Sequence, residues 1–173
     1  MTGWKKLAEE FSRFGYRSLI KRIYQLPNGN LAEFNLIDGG PVVCILPLTS
    51  DNRVILAQQF RPGPEKVLME LPAGGVEKDE TPEAAARREL LEETGYDGNF
   101  QFIGTSFVLG YSTMLRYNFV VTNCRKVQEQ KTDEGEFIEV VEMPLVKFRD
   151  HLRSGELTNA TTGYLGLDFL KLL

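Results

Sequence analysis

Gly74-Gly75-Val76-Glu77-Lys78-Asp79-Glu80-Thr81-Pro82-Glu83-Ala84-Ala85-Ala86-Arg87-Arg88-Glu89-Leu90-Leu91-Glu92-Glu93-Thr94-Gly95-Tyr96 reads as a glycine loop running into a helix. Thr81 suits the cap, Pro82 the first helical position and Gly95 the stop. Glu89 and Glu93 are four residues apart and Glu89 and Glu92 three apart, so their carboxylates share one side of the last turns. Stacked like charges repel by a few tenths of a kcal/mol per pair. They also gather at the C-terminal end, where the helix dipole disfavours anions. A solvated acidic face is the bland account of such a run. A helix that collects acids at its wrong end is better explained by a cation to receive, and several carboxylate oxygens at close range suit a hard divalent ion such as Mg²⁺.

The surrounding chain reads as strands mixed with a few helices. Tyr16 to Leu26 and Leu31 to Ile37 flank the turn signal Pro27-Asn28-Gly29-Asn30 and predict a hairpin. Val42 to Leu48 and Val54 to Gln59 are apolar enough for buried strands, and Val67 to Leu71 is a short strand leading into the glycine loop. Past the helix, strands are predicted over 100–109, 117–122 and 137–141, then helices over 145–153 and 162–173. The fold class is α/β (α+β): a mixed β-sheet between helices, with an N-terminal β-hairpin arm over residues 1–40 and a catalytic core over 41–173 of one domain.

Composition limits the function classes. With 173 residues and a net charge of −4, the chain can bury a substantial core and lacks the basic balance of a nucleic-acid binder. No apolar run approaches the length that spans a bilayer, and the start lacks the apolar stretch of a secretory signal. Cys44 and Cys124 both lie in apolar runs, which predicts two buried thiols of a cytoplasmic protein, with one disulfide as the alternative. The single His151 excludes a multi-histidine metal centre and is expected at the surface of a late helix.

The spacing from Gly74 through Glu80 to Arg88-Glu89-Leu90-Leu91-Glu92-Glu93-Thr94-Gly95 resembles the Nudix box, the signature of the Nudix hydrolase superfamily. Tyr96 stands where an aliphatic residue is commoner, a difference expected to cost only packing. Gln58-Gln59-Phe60-Arg61-Pro62, Met69-Glu70-Leu71-Pro72-Ala73-Gly74 and Asp133-Glu134-Gly135-Glu136-Phe137-Ile138-Glu139-Val140 look like the ADP-ribose and nucleoside-diphosphate-sugar pyrophosphatase branch. The resemblance implies a Nudix fold and metal-dependent hydrolysis of a diphosphate linkage, giving NMP and a sugar phosphate.

The same resemblance implies roles. Glu89, Glu92 and Glu93, with the Ala73 carbonyl, become the metal ligands, for Mg²⁺ or Mn²⁺ as a substitute. Arg88 orients the helix carboxylates, Arg61 grips a substrate phosphate, and Glu70 contacts substrate or supports the loop. The water-activating base is Glu134 or Glu136, both in a polar, glycine-broken loop. Tyr16 and Phe34 fall where relatives sandwich the nucleobase, often with a hairpin lent by the partner subunit of a homodimer. Leu109 replaces a proline that many ADP-ribose pyrophosphatases carry before the residue matching Gly110, which leaves GDP-mannose or another nucleotide sugar open. A house-cleaning nucleoside-triphosphate pyrophosphatase is the second class, disfavoured by the Glu70 to Gly74 and late-loop motifs. A non-catalytic nucleotide-sugar sensor is the third; such proteins usually lose box carboxylates, and all are present here.

Overall fold

A computed structural model describes residues 3–132 and 134–173. Met1, Thr2 and Asp133, the last quoted above in the late-loop motif, lie outside the described residues. The chain forms two compact units. One comprises the chain to Pro41 with Phe107–Leu115, the other Val42–Ser106 with Arg116–Leu173.

The first unit is a three-stranded antiparallel sheet of β1 (Lys5–Phe14), β2 (Arg17–Gln25) and β3 (Leu31–Asp38). The predicted hairpin is β2 and β3, closed by the Pro27 to Asn30 turn with Gly29 at φ 88° and Asn30 N donating to Asn28 Oδ1 at 3.0 Å. Strand β1 is an addition to the sequence reading. Its Lys5-Lys6-Leu7-Ala8-Glu9-Glu10 stretch lacks the alternation of a half-buried strand, because nearly all of β1 is exposed at a sheet edge. Glu9 helps tie it down, accepting from Arg22 Nε on β2 at 2.5 Å. Phe107–Leu115 joins this unit, although the expected arm ended at residue 40, because Ile37 N donates to Tyr111 O at 2.9 Å and Thr113 Oγ1 to Asp38 Oδ1 at 2.8 Å.

The second unit holds β4 (Val42–Thr49), β5 (Arg53–Arg61), β6 (Lys66–Glu70), β7 (Ala73–Gly75), α1 (Pro82–Thr94), β8 (Tyr96–Phe107, its last residue in the first unit), β9 (Leu115–Lys126, likewise its first), β10 (Glu139–Pro144), α2 (Leu145–Ser154) and α3 (Ala160–Phe169). The sheet order is β10-β5-β4-β9-β8, with β6 on β5 and β7 on β4. It is mixed: β4 runs parallel to β9, while β5 pairs antiparallel with β10 and β6.

Both faces of this sheet are covered, so β4 reads as an unbroken apolar run. Val43 and Ile45 pack with Ala85, Ala86 and Leu90 of α1, whereas Cys44, Leu46 and Leu48 pack with Phe148 and Leu152 of α2 and Leu167 of α3. Cys44 and Cys124 are free, buried thiols, and burial pushes both up to about 12. Three sequence expectations change here. The last helix ends at Phe169 rather than Leu173, because its final turn closes with Leu170 N on Gly166 O at 3.0 Å. His151 is half-buried instead of on the surface, and its Nε2–H donates to Met69 O at 2.7 Å. Tyr96 does more than pack: its hydroxyl donates to Glu142, whose other oxygen takes Arg53 Nε at 2.9 Å.

Candidate active site

Helix α1 begins as its sequence dictates. Thr81 Oγ1 accepts from Ala84 N at 3.2 Å, Pro82 occupies the first turn, and Gly95 closes the helix at φ 77° with its N–H on Leu91 O. Ala85, Ala86 and Leu90 are buried against the sheet, which fixes the rotation of the helix and leaves Arg88, Glu89, Glu92 and Glu93 together on another side.

Arg88 is the hub of that side. Its Nε and Nη2 reach the two Glu80 oxygens at 3.0 and 3.1 Å, Nη1 reaches Glu89 Oε1 at 2.8 Å and Glu92 Oε2 at 3.1 Å, and Nη2 also donates to Gly75 O at 2.9 Å. The Glu80 bonds, strongest of these, hold the guanidinium firmly charged and keep the Glu80 carboxyl below its ordinary range. Glu80 is a role the sequence reading did not assign; the cue was its fixed place in the motif. By binding both the helix and the Gly75 carbonyl, Arg88 locks the glycine loop to α1.

The loop approaches the helix as closely as it can. A Cβ on Gly74 would sit 2.0 Å from Glu89 Cδ and Oε1, so only glycine admits that carboxylate. One residue earlier, Ala73 N donates to Glu93 Oε2 at 3.1 Å. Glu93 is 6% exposed, and its pKa rises to about 8: burial contributes most, then the Glu89 charge, with Glu136 adding and Ala73 N and Arg61 opposing. Burial also raises Glu89, against the pull of Arg88, and Glu92 and Glu136 add to the rise.

This donor set suits a hard cation. Burial raises both carboxylates, the Glu89 charge raises Glu93 further, and the loop is built of glycine where Glu89 enters, so the charge density that repels here is what a divalent ion stabilises. Among the described residues no group of three or more His, Cys, Asp or Glu is already gathered as a metal cluster.

The other expected residues are divided between the two units. Arg61, at the end of β5, donates from Nε to Glu70 Oε2, and Glu70 is fully buried. Glu134 and Glu136 are both exposed on the late loop, and the charge of Glu136 contributes to the rise of Glu89 and Glu93. Tyr16 and Phe34 are not brought together within one chain. Tyr16 sits in the β1–β2 turn, 86% exposed, with Arg17 stacked over its ring. Phe34 pairs with Arg22, six residues further along β2, a separation of roughly 20 Å at about 3.3 Å per residue.

Phe34 has other company inside the first unit. Arg22 and Tyr24 share a face of β2 by the strand's alternation, Phe34 lies opposite Arg22 on β3, and Trp4, Leu36, Gly110 and Tyr111 complete a cavity of about 440 Å³. The rings of Trp4, Tyr24 and Tyr111 stand 6.1, 5.8 and 6.4 Å from that of Phe34. Trp4 and Tyr111 escaped the sequence reading because nothing local marks a lone aromatic as lining a cavity.

Comparison with known proteins bears on the fold and the family. A family profile described as NUDIX domain matches residues 39–160. An ADP-ribose pyrophosphatase of Bacillus subtilis is 33% identical over 151 residues, covering 86% of this chain and 81% of the relative. An ADP-sugar pyrophosphatase of Mus musculus is 38% identical over 117 residues, 62% of this chain and 53% of that protein. A crystal structure of an ADP compounds hydrolase superposes with a TM-score of 0.81 at 20% identity, over 100% of this chain and 98% of that one, which establishes the fold.

Proposed function

The chain belongs to the Nudix family, and from that premise we propose that it hydrolyses the diphosphate bond of a nucleoside diphosphate sugar, such as ADP-ribose, to NMP and a sugar phosphate. The observation that carries the reading is the arrangement of Glu89 and Glu93, crowded beside a loop that only Gly74 allows, with Arg88 bound to Glu89 and to the Gly75 carbonyl of that loop. Glu89, Glu92, Glu93 and the Ala73 carbonyl would hold the divalent ion, Mg²⁺ first and Mn²⁺ as a substitute. Bound there, it neutralises phosphate charge and lowers the pKa of the attacking water.

The protein's own groups supply the rest. Arg88 fixes the carboxylates, Arg61 makes a charge-assisted bond to a substrate phosphate, and Glu136 takes the proton as water attacks phosphorus and the bridging oxygen departs. Tyr16 and Phe34 are the residues proposed to contact the nucleobase. A panel of ADP-ribose, GDP-mannose, dinucleotides and nucleoside triphosphates with Mg²⁺, read by phosphatase-coupled phosphate release, tests the reaction class. Turnover confined to triphosphates would establish the house-cleaning alternative instead, and binding without turnover would establish the sensor.

Glu136 is favoured over Glu134 because its charge acts on both Glu89 and Glu93. Glu136→Gln is expected to lower kcat by about 10²–10⁴-fold with KM little changed, since a base acts chiefly in the transition state, while Glu134→Gln stays near wild type. Steady-state kinetics on both variants decides it; a loss confined to Glu134→Gln reverses the assignment.

A homodimer is the second structural element of the proposal. Phe11, Phe14 and Tyr16 are 66, 83 and 86% exposed along β1 and its turn, and β1 is an edge strand. Such an edge needs a surface to bury against, and a two-fold partner supplies the same surface in return. Light scattering is expected to give twice the chain mass, and Tyr16→Ala to raise KM several-fold. A fully active monomer at micromolar concentration rules this out. Buried free thiols at Cys44 and Cys124 fit the reducing conditions of the cytoplasm.

A further inference from the structure

Glu70 ends β6 with its side chain fully buried, a costly place for a carboxylate unless each oxygen is met by a donor. Both oxygens are met. Oε2 takes Nε of Arg61, and Oε1 takes the hydroxyl of Thr158 from the α2–α3 connection, 88 residues away in sequence. Arg61 keeps about a third of its side chain open, at 36% exposure, so Glu70 restrains a guanidinium that still faces outward.

Thr158 is itself well anchored. The next residue, Asn159, is 4% exposed and closes a two-bond ring with the backbone of Leu71: Nδ2 donates to Leu71 O at 2.8 Å, and Leu71 N donates to Oδ1 at 3.2 Å. On the other side of Glu70, Met69 O takes the His151 ring N–H. Three successive residues, 69 to 71, are thus gripped by the C-terminal segment, and only the middle grip acts on a charged side chain.

We infer that Thr158 is a positioning residue for substrate-phosphate recognition: its hydroxyl stops the Glu70 carboxylate from turning, and Glu70 aims the Arg61 guanidinium. The terminal torsion of a glutamate is broad and roughly two-fold, so one bonded oxygen leaves it free to swing and two do not. The second bond matters because misplacing a recognition group by about 1 Å can cost up to about 10²-fold in rate. The inference rests on the reading of Arg61 as the residue that grips a substrate phosphate.

Thr158→Val keeps the shape and deletes the donor; Thr158 is exposed, so the change opens no core cavity, and its cost to stability is one unmet oxygen on the buried Glu70 carboxylate, which a thermal melt measures separately. With ADP-ribose and Mg²⁺, Thr158→Val is expected to raise KM about tenfold with kcat within about twofold of wild type, and Thr158→Ser to restore KM. Arg61→Ala is expected to raise KM at least as much, and adding Thr158→Val to it should change nothing more, because the threonine then has no guanidinium to aim. A wild-type KM in Thr158→Val, a fall in melting temperature alone, or an equal further loss in the Arg61→Ala background would each overturn the inference while leaving the Arg61 reading intact. An unchanged KM in Arg61→Ala would overturn the Arg61 reading itself, and the inference with it.

Discussion

Glu93→Gln is expected to lower turnover by about 10²–10⁴-fold while leaving the protein folded, since losing one ligand charge removes several kcal/mol of transition-state stabilisation at about 1.36 kcal/mol per tenfold. The fold should tolerate the change because a glutamine oxygen still accepts from Ala73 N, now 3.1 Å from Glu93 Oε2. It should even gain. Glu93 is buried beside Glu89, and its folded pKa of about 8 lies well above the unfolded value near 4.3. The native state therefore binds the extra proton between those values, so the contribution of Glu93 to stability falls as pH rises through that window. Neutral Gln does not pay that cost, and without added metal its melting temperature near neutral pH is expected at or above wild type. Full turnover in a folded Glu93→Gln protein, assayed with Mg²⁺, would overturn the proposal that Glu93 is a metal ligand.

How much of this was legible follows from the range of each signal. Helix α1 could be read residue by residue because its determinants are local: Thr81 meets the N–H of Ala84 three positions on, and Gly95 closes onto Leu91 four positions back. Strand β4 and the Val54 to Ala57 part of β5 were equally legible, because burial on both faces leaves an unbroken apolar run. Strand β1 was not, since an exposed edge strand has no apolar face to announce it, and its pairing depends on register with β2.

The site divides the same way. Arg88, Glu89 and Glu93 sit on one helix, and their spacing alone puts them side by side. The donor that completes Glu70 comes from Thr158, and the partner of the Tyr96 hydroxyl is Glu142; both pairings depend on tertiary structure that no window around the motif contains. The choice between Glu134 and Glu136 was open for a related reason. Two glutamates two apart in a glycine-broken loop look alike in sequence, and the reach of the Glu136 charge to Glu89 and Glu93 depends on how the loop folds.

Gly74→Ala is the second large effect expected, and it tests the loop instead of the acids. The new methyl carbon would lie 2.0 Å from Glu89 Cδ and Oε1 and 2.3 Å from Oε2, far inside contact distance. What it strikes is the far end of a flexible side chain, so the chain can relieve the clash by swinging Glu89 away. That rotation gives up the 2.8 Å bond to Arg88 Nη1 and takes the carboxylate out of the place where it would meet the metal. Stability should therefore fall by about 1–3 kcal/mol, as for other overpacked sites, while turnover falls by about 10²-fold or more. Gly75→Ala is the matched control, because a Cβ there meets nothing within 4 Å. Its backbone carbonyl, which accepts from Arg88 Nη2 at 2.9 Å, is untouched by the substitution. Thermal melts and kcat for the pair separate the two accounts: a large loss in Gly74→Ala alone supports an approach that only glycine permits, whereas equal small losses in both would mean that Glu89 has no fixed place to lose.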